Sequence, residues 1–300
     1  MHTRNLHKNG YDFAQLVKFT PQLTNFIIKK EGRRATINFA DPSAVKTLNQ
    51  ALLKQYYKLS YWDIPEGFLC PPVPGRADYI HHIADLITAT TNKQNDVLGL
   101  DIGVGANVIY PIIGSQTYGW HFVGSDISDA SLQSARHIVA NNDNLKKQIT
   151  IRKQQNSQHI FKGLIQPDDK FTFTMCNPPF HANAKDALAG NQRKNRNLAR
   201  HKQKRQGREQ RYCEANKTHL NFAGQHNELW CKGGEPAFIS KMIIESQQFA
   251  KQVQWFTCLV SKKEHLNAIY RQLKQVQVKE VKTIEMHQGS KVSRFIGWQF

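Results

Sequence analysis

The sequence lacks the features that would direct a chain into a membrane or into an oxidising compartment. No stretch of its 300 residues approaches about 18 uninterrupted apolar residues, so we expect no transmembrane helix. Residues 1–8 contain no apolar run of the kind that a secretory signal requires. The five cysteines are an odd number and form no Cys-x-x-Cys pair, which disfavours a disulfide scaffold. These absences predict a cytoplasmic protein.

Acidic residues are also scarce. The chain has 23 Asp and Glu residues against 41 Lys and Arg residues, a formal net charge of +18. Such an excess favours polyanionic partners, with nucleic acid first and an anionic membrane surface second. Ten basic residues lie between positions 185 and 211, against Asp186 and Glu209. Because this stretch has few apolar groups and dense like charge, we predict a mobile basic insertion there rather than a core element.

The rest of the chain has the alternating pattern of an α/β protein. Residues 1–70 are basic and aromatic-rich, and four prolines between positions 65 and 75 indicate an irregular connector. Helical spacing is predicted over 42–58, 76–91, 128–141, 237–251 and 265–274. Short apolar runs predict seven strands, at 97–102, 121–126, 149–152, 171–176, 254–260, 278–286 and 292–300. This order predicts a mainly parallel, doubly wound sheet, and the last two strands, with no helix between them, add one antiparallel strand.

A glycine turn follows the first of these predicted strands. Asp101 precedes Gly103 and Gly105, and Asp126 ends the next strand, where a carboxylate can bind ribose hydroxyls. Val108 occupies the position of the third glycine of a dinucleotide motif, which counts against a pyrophosphate ligand. Asp101 would also repel phosphate. The turn therefore favours a nucleoside ligand that carries an ammonium group, such as S-adenosylmethionine.

Asn177-Pro178-Pro179-Phe180 follows the fourth strand, at the same edge of the sheet as the glycine turn. The exocyclic amine of adenine is a poor nucleophile because its lone pair is delocalised into the ring. The Asn177 side-chain oxygen and the Pro178 carbonyl can accept its two N–H bonds and hold the nitrogen in line with a methyl donor. Phe180 offers an aromatic face to a base that has left its stack. The tetrad predicts a site for methyl transfer to an amine.

These motifs resemble those of the class I S-adenosylmethionine-dependent N6-adenine methyltransferases, which have a Rossmann-like fold. Six segments resemble more closely one RNA-modifying group: 37–42, 73–81, 101–111, 176–180, 233–235 and 288–300. This group is the bacterial large-subunit ribosomal RNA adenine-N6 methyltransferase F family, with its eukaryotic relative methyltransferase-like protein sixteen. The resemblance extends over about the whole chain. It implies a methyltransferase domain over residues 71–300, preceded by a basic RNA-binding segment over residues 1–70, and an adenine in 23S ribosomal RNA as the target.

The resemblance also implies roles for individual residues. The cofactor S-adenosylmethionine would be held by a set of side chains and glycines on three loops: Arg76, Asp101, Gly103, Gly105, Asp126 and Asn156. Asn177, Pro178, Pro179 and Phe180 would hold the target adenine. The basic insertion would contact RNA phosphates through Arg193, Lys194, Arg196, Arg200, Lys202, Lys204 and Arg205. Nothing in the sequence indicates an obligate protein partner, and we expect a monomer.

Three alternatives remain open from the residues alone. The same tetrad serves DNA adenine methyltransferases and, with a different final aromatic residue, glutamine-N5 methyltransferases that act on proteins. A non-catalytic RNA-binding assembly factor that retains the fold is the third alternative.

Cys213, His219, His226 and Cys231 have spacings that fit no standard zinc finger, so we expect no metal there.

Overall fold

The computed structural model describes residues 1–29, 31–32, 34–90, 96–183, 230–289 and 291–300. Within these ranges the strands are β1 (Ile27–Ile28), β2 (Thr36–Ile37), β3 (Leu98–Ile102), β4 (His121–Asp126), β5 (Ile149–Lys153), β6 (Phe171–Cys176), β7 (Val253–Val260), β8 (Glu280–Gln288) and β9 (Lys291–Gln299). The α-helices are α1 (Phe13–Phe19), α2 (Pro42–Tyr57), α3 (Val73–Thr88), α4 (Ile109–Tyr118), α5 (Asp129–Ala140), α6 (Asp143–Lys146), α7 (Gly234–Ser246) and α8 (Leu266–Gln275). Three short 3-10 turns cover Pro21–Phe26, Gln247–Phe249 and Lys263–His265.

Seven strands form one sheet in the order β5-β4-β3-β6-β7-β9-β8. Strands β3 to β7 are parallel to their neighbours within this group, and β9 runs antiparallel to both β7 and β8. The predicted Rossmann-like α/β fold, with a mainly parallel sheet and one antiparallel strand, is confirmed. All seven strand predictions agree with the structure to within two residues.

The burial of β3 agrees with its central place in the sheet. The β3 strand is buried along nearly its whole length, as expected for a central parallel strand with helices on both faces. Its Gly99 is required by close packing, because a Cβ atom at this position would lie 2.6 Å from a ring carbon of Phe173 and 2.7 Å from one of Phe122. The parallel strands end together, so the loops after β3, β4 and β6 meet at one edge of the sheet.

The N-terminal residues pack onto the helices that precede this sheet. The fully buried Asn5 donates from Nδ2 to the Pro74 carbonyl at 2.9 Å, and the buried His7 hydrogen-bonds Tyr57. Side chains of α1 belong to the same buried cluster as those of α2, α3 and α4. The two-stranded sheet β1–β2 and helix α1 were absent from the sequence prediction. The proposed division of the chain at residue 70 stays a prediction.

Helix α2 shows why one boundary could be predicted to the residue. The Asp41 carboxylate accepts the backbone N–H groups of Ser43 and Ala44, and Pro42 occupies the first helical position. The other four predicted helices begin within three residues of their predicted starts; α3 begins at Val73 rather than at residue 76. Helices α4 and α6, like α1, had no predicted bounds. Among the described residues, no helix is both long and apolar enough to cross a membrane.

Candidate active site

A cavity of about 460 Å³ lies at the carboxyl edge of the sheet. Its floor is the turn after β3, where Gly103 and Gly105 have φ angles of +75° and +64° that favour glycine. The Gly103 and Val104 N–H groups both donate to the Ser125 carbonyl on β4, at 2.9 and 2.8 Å. The turn is therefore fixed to the neighbouring strand, and its backbone lines the cavity as the glycine motif predicted.

Asp126, at the end of β4, is hydrogen-bonded to the backbone of this turn. Its Oδ2 accepts the Gly105 N–H at 3.0 Å, and its Oδ1 accepts the Ser128 N–H at 2.9 Å. Burial raises the pKa of Asp126, and these backbone donors oppose the rise. Each carboxylate oxygen can accept one further hydrogen bond. Asp126 therefore both stabilises the turn and offers acceptors to a ligand in the cavity.

Asp101 and Arg76 are neighbouring ionisable side chains beside the turn. Asp101 is 1% exposed, and neither of its carboxylate oxygens has a hydrogen-bond partner among the described residues. Burial, with the nearby Asp126, raises the pKa of Asp101 to about 8, and Arg76 partly opposes this. Arg76 donates from Nη1 to the Tyr110 hydroxyl at 2.6 Å, while its Nε is buried without a partner among the same residues. Both side chains have unused hydrogen-bonding capacity, which a bound ligand could satisfy.

The Asn177–Phe180 tetrad leaves the end of β6 at the same cavity. Asn177 and Pro179 line it, and the Asn177 Oδ1 atom is buried with no hydrogen-bond partner among the described residues. Pro178 is buried, and Phe180 is 39% exposed; neither is among the residues that line the cavity, so their assignment to the target adenine stays a prediction. The structure thus brings together the two motifs that the sequence analysis placed at one edge. An unpaired amide oxygen in a cavity is suited to accept an N–H group.

The loop after β5 forms the wall on the β4–β5 side. Five of its residues line the cavity: Gln154, Ser157, Gln158, His159 and Ile160. Asn156, which the sequence analysis assigned to the cofactor, is exposed and is not a lining residue. Its side chain instead accepts the Gln158 N–H at 2.8 Å and so shapes the loop. The assignment of Asn156 to the cofactor stays a prediction. Its neighbours in the loop are better placed to contact a ligand in the cavity.

The opposite wall comes from residues that the sequence analysis did not assign to this site. Helix α7 and the turn before it supply this wall: Trp230, Cys231, Lys232, Ala237, Phe238 and Lys241. They follow the basic insertion in sequence, and only tertiary packing returns them to the tetrad. No sequence motif marks them.

Two buried glutamates on α7 hold this wall and the β5 loop in place. Glu235 is fully buried. Its carboxylate accepts a hydrogen bond from the Ser261 N–H and is hydrogen-bonded to the His265 Nδ1 atom at 2.7 Å. Glu245 accepts the backbone N–H groups of Ile160 at 2.9 Å and Phe161 at 2.8 Å, and also that of Lys162. Helix α7 therefore connects the two sides of the cavity.

Several predicted residues lie outside the described ranges. They include the basic insertion at 185–211, with Arg193, Lys194, Arg196, Arg200, Lys202, Lys204 and Arg205, and also Cys213, His219 and His226. Cys70, Cys176, Cys231 and Cys258 are described, and all four are free thiols.

Comparison with known proteins adds to this geometry. A family model described as RNA methyltransferase matches residues 1–300. A "Ribosomal RNA large subunit methyltransferase F" of Pseudoalteromonas atlantica is 54% identical over 306 aligned positions, which cover 100% of this chain and 92% of that protein.

Two solved structures are similar over the whole chain. The hMettl16 catalytic domain in complex with MAT2A 3'UTR hairpin 6 has a TM-score of 0.79 and 32% identity, covering 100% of this chain and 97% of that one. The N-terminal domain of human METTL16 in complex with SAH has a TM-score of 0.76 and 28% identity, with coverages of 100% and 98%.

Proposed function

This chain belongs to the RNA methyltransferase family, and from that premise we propose that it methylates the N6 amine of one adenine in 23S large-subunit ribosomal RNA, using S-adenosylmethionine. The name of the Pseudoalteromonas relative supports ribosomal RNA as the substrate, and such a substrate supports a cytoplasmic location. The hairpin and SAH complexes of the hMettl16 domain support an RNA ligand and this cofactor.

One observation carries the proposal. Two side chains that line the cavity have buried polar atoms without a partner among the described residues, the Nε of Arg76 and the Oδ1 of Asn177. The two unpaired oxygens of Asp101 are buried directly before the lining residues Ile102 and Gly103, within the electrostatic influence of Arg76. Buried polar groups without partners are costly in a folded protein, so their convergence indicates ligands of complementary charge. An ammonium suits Asp101, a carboxylate suits Arg76, and an amine N–H suits Asn177.

These residues fit S-adenosylmethionine, which has an ammonium and a carboxylate at one end and a ribose and adenine at the other. Asp101 and Arg76 would hold the amino-acid end, Asp126 the ribose, and the backbone at Gly103 and Gly105 would allow close approach. When bound, the cofactor supplies a methyl group on a sulfonium, which is an electrophile. The β5 loop, including the region of Asn156, would enclose the adenine.

The chain's own part in the reaction is to position and polarise the amine. The Asn177 Oδ1 atom and the Pro178 carbonyl would each accept one N–H bond, which directs the nitrogen lone pair at the methyl carbon. These acceptors also stabilise the positive charge that grows on nitrogen as the bond forms. Pro178 and Pro179 restrict the backbone that presents them. The proton can pass to water afterwards, so no side-chain base is required.

We further propose that RNA phosphates bind the basic insertion through the seven Arg and Lys residues named above. This insertion begins five residues after Phe180, so its charge starts close to the tetrad. Neutralising phosphates on both sides of a base that has left its stack would favour its entry into the cavity. Residues 1–70 would supply a second basic surface, and the enzyme would act as a monomer.

The experiment that tests the function is transfer of labelled methyl groups to three substrates in parallel. These are unmodified large-subunit ribosomal RNA, duplex DNA and a protein extract, each digested and analysed for the modified nucleoside or amino acid. We expect N6-methyladenosine in RNA alone. Label in DNA or on a glutamine amide would assign the tetrad to another substrate. Absence of cofactor binding by calorimetry would contradict the enzymatic function itself.

A further inference from the structure

We propose that the indole of Trp230 stacks on the target base and so forms the pocket wall next to the tetrad. This inference rests on the proposed function, because it assigns a residue to the RNA base that the enzyme methylates. Trp230 and Asn177 line the same cavity. The sequence motifs give Trp230 no role.

The backbone places Trp230 directly beside the end of the tetrad. Trp230 pairs with His181 in a parallel β-bridge, and His181 is the residue after Phe180. The Cys231 N–H donates to the His181 carbonyl at 3.1 Å. The two chain ends that flank residues 184–229 are therefore joined at the cavity rim, with Trp230 on one end and Phe180 on the other.

The sheet order assigns Trp230 to the substrate half of the cavity. The turn after β3, Asp126 after β4 and the β5 loop occupy one half, where the cofactor is proposed to bind. Strand β6 lies on the other side of β3. The chain continues from β6 through the tetrad to His181, which pairs with Trp230. Trp230 therefore lies on the tetrad side of the cavity, where the base is proposed to bind.

The turn between Trp230 and α7 is held in a fixed conformation. Gly233 and Gly234 have φ angles of +84° and +66°, and a Cβ atom on Gly233 would lie 2.6 Å from that of Ala237. The Gly234 N–H donates to the Cys231 carbonyl at 2.9 Å, and the buried Glu235 fixes the start of the helix. A wall that is positioned before the substrate arrives loses little entropy on binding.

The chemistry of the indole fits a nucleobase. Stacking of one base on an aromatic side chain contributes roughly 1–3 kcal/mol, and it needs no particular hydrogen-bond pattern. The Asn177 and Pro178 acceptors would recognise the amine, while Trp230 would hold the ring plane. Loss of the indole should therefore weaken binding of the RNA much more than binding of the cofactor.

The fluorescence of Trp230 can be used to detect this contact. Of its five tryptophans, Trp62, Trp120, Trp255 and Trp298 are at most 5% exposed, and Trp230 is the one that is half-buried. Acrylamide quenching of tryptophan fluorescence should therefore report mainly on Trp230. We expect unmodified large-subunit ribosomal RNA to protect this fluorescence in the S-adenosylhomocysteine-loaded enzyme, and Trp230→Phe to abolish the protected component.

The kinetic test compares Trp230→Ala with Trp230→Phe. Trp230→Ala should lower kcat/KM for RNA about 5- to 150-fold, the equivalent of the stacking energy, and leave the Kd for S-adenosylmethionine unchanged. Trp230→Phe should recover most of the rate because it retains a ring. Tyr270→Ala, which removes an aromatic residue that is 40% exposed and does not line the cavity, serves as the matched control and should behave like wild type.

Two results would overturn the inference. One is a Trp230→Ala enzyme with unchanged kcat/KM for RNA and no protection of Trp230 by RNA. The other is an equal loss of cofactor affinity, which would make Trp230 part of the cofactor site or of the fold. Either can occur while wild-type enzyme still produces N6-methyladenosine in RNA, so failure of this inference is distinguishable from failure of the proposed function.

Discussion

At the scale of single residues, the most direct prediction concerns Asn177. Its Oδ1 atom is buried, unpaired among the described residues and directed into the cavity by the end of β6. Asn177→Ala removes an acceptor that positions the amine and whose hydrogen bond strengthens as positive charge develops on the nitrogen. We expect kcat for methyl transfer to fall about 10²- to 10³-fold, with the Kd for S-adenosylmethionine unchanged by calorimetry. Asn144→Ala, on the exposed surface of α6, is the control.

A parallel loss of rate and cofactor affinity in Asn177→Ala would contradict this role. It would show that the side chain supports the cavity rather than the reaction. Circular dichroism of the variant would then be expected to show an altered fold or a lower Tm.

Asp101 leads to a prediction about pH. Its pKa of about 8 arises mainly from burial, so in the cofactor-free protein it is largely protonated at neutral pH. An ammonium beside it favours the carboxylate, and binding below pH 8 must therefore release a proton. Affinity for S-adenosylmethionine should rise with pH up to about 8, and fall above it as the cofactor's α-amine loses its own proton.

Calorimetry from about pH 6 to about pH 9, in two buffers of different ionisation enthalpy, measures both the affinity and the released proton. Asp101→Asn keeps the shape of the side chain and cannot titrate. We expect this variant to bind more weakly and to lack the rising limb of the profile. A wild-type affinity independent of pH between 6 and 8 would contradict the assignment of Asp101 to the ammonium.

At the scale of secondary-structure elements, helix α7 connects the two walls of the cavity through Glu245. This buried carboxylate accepts three consecutive backbone N–H groups in the β5 loop, 83 to 85 residues away in sequence. Glu245→Ala would leave these donors without their acceptor. We expect a loss of about 3 kcal/mol in the free energy of unfolding, measured by urea denaturation, together with weaker S-adenosylmethionine binding.

Glu245→Gln is the matched variant for this prediction. Its amide keeps one carbonyl acceptor, so its stability and cofactor affinity should lie between those of Glu245→Ala and wild type. A stable Glu245→Ala protein with normal cofactor affinity would mean that the β5 loop holds its conformation without α7.

The elements also show what the sequence could predict. The glycine turn, Asp126 and the tetrad were found because each follows a buried strand, and parallel strands end at the same edge. Glu245 and Trp230 were missed, and Glu235 was noted only as part of a resembling segment, because their roles depend on contacts made across long stretches of chain. Periodicity describes which face of α7 is buried, but it cannot show which backbone groups a buried carboxylate accepts.

At the scale of the whole molecule, the +18 charge predicts how RNA affinity depends on salt. Each phosphate neutralised by a basic side chain releases counterions, so the slope of log K against log salt counts these contacts. We expect Arg200→Gln, Lys202→Gln and Lys204→Gln together to reduce this slope by about 2 for single-stranded RNA and to weaken binding.

The matched control neutralises three exposed lysines at the opposite edge of the sheet, Lys147, Lys251 and Lys279, which precede β5, β7 and β8. This control lowers the net charge by the same amount, so a general electrostatic attraction would change equally in both triple variants. If the insertion contacts RNA beside the tetrad, only the first variant should have a flatter slope and a higher KM for RNA. Equal slopes in the two variants would mean that the positive charge attracts RNA to the molecule as a whole, and that the insertion makes no specific phosphate contacts.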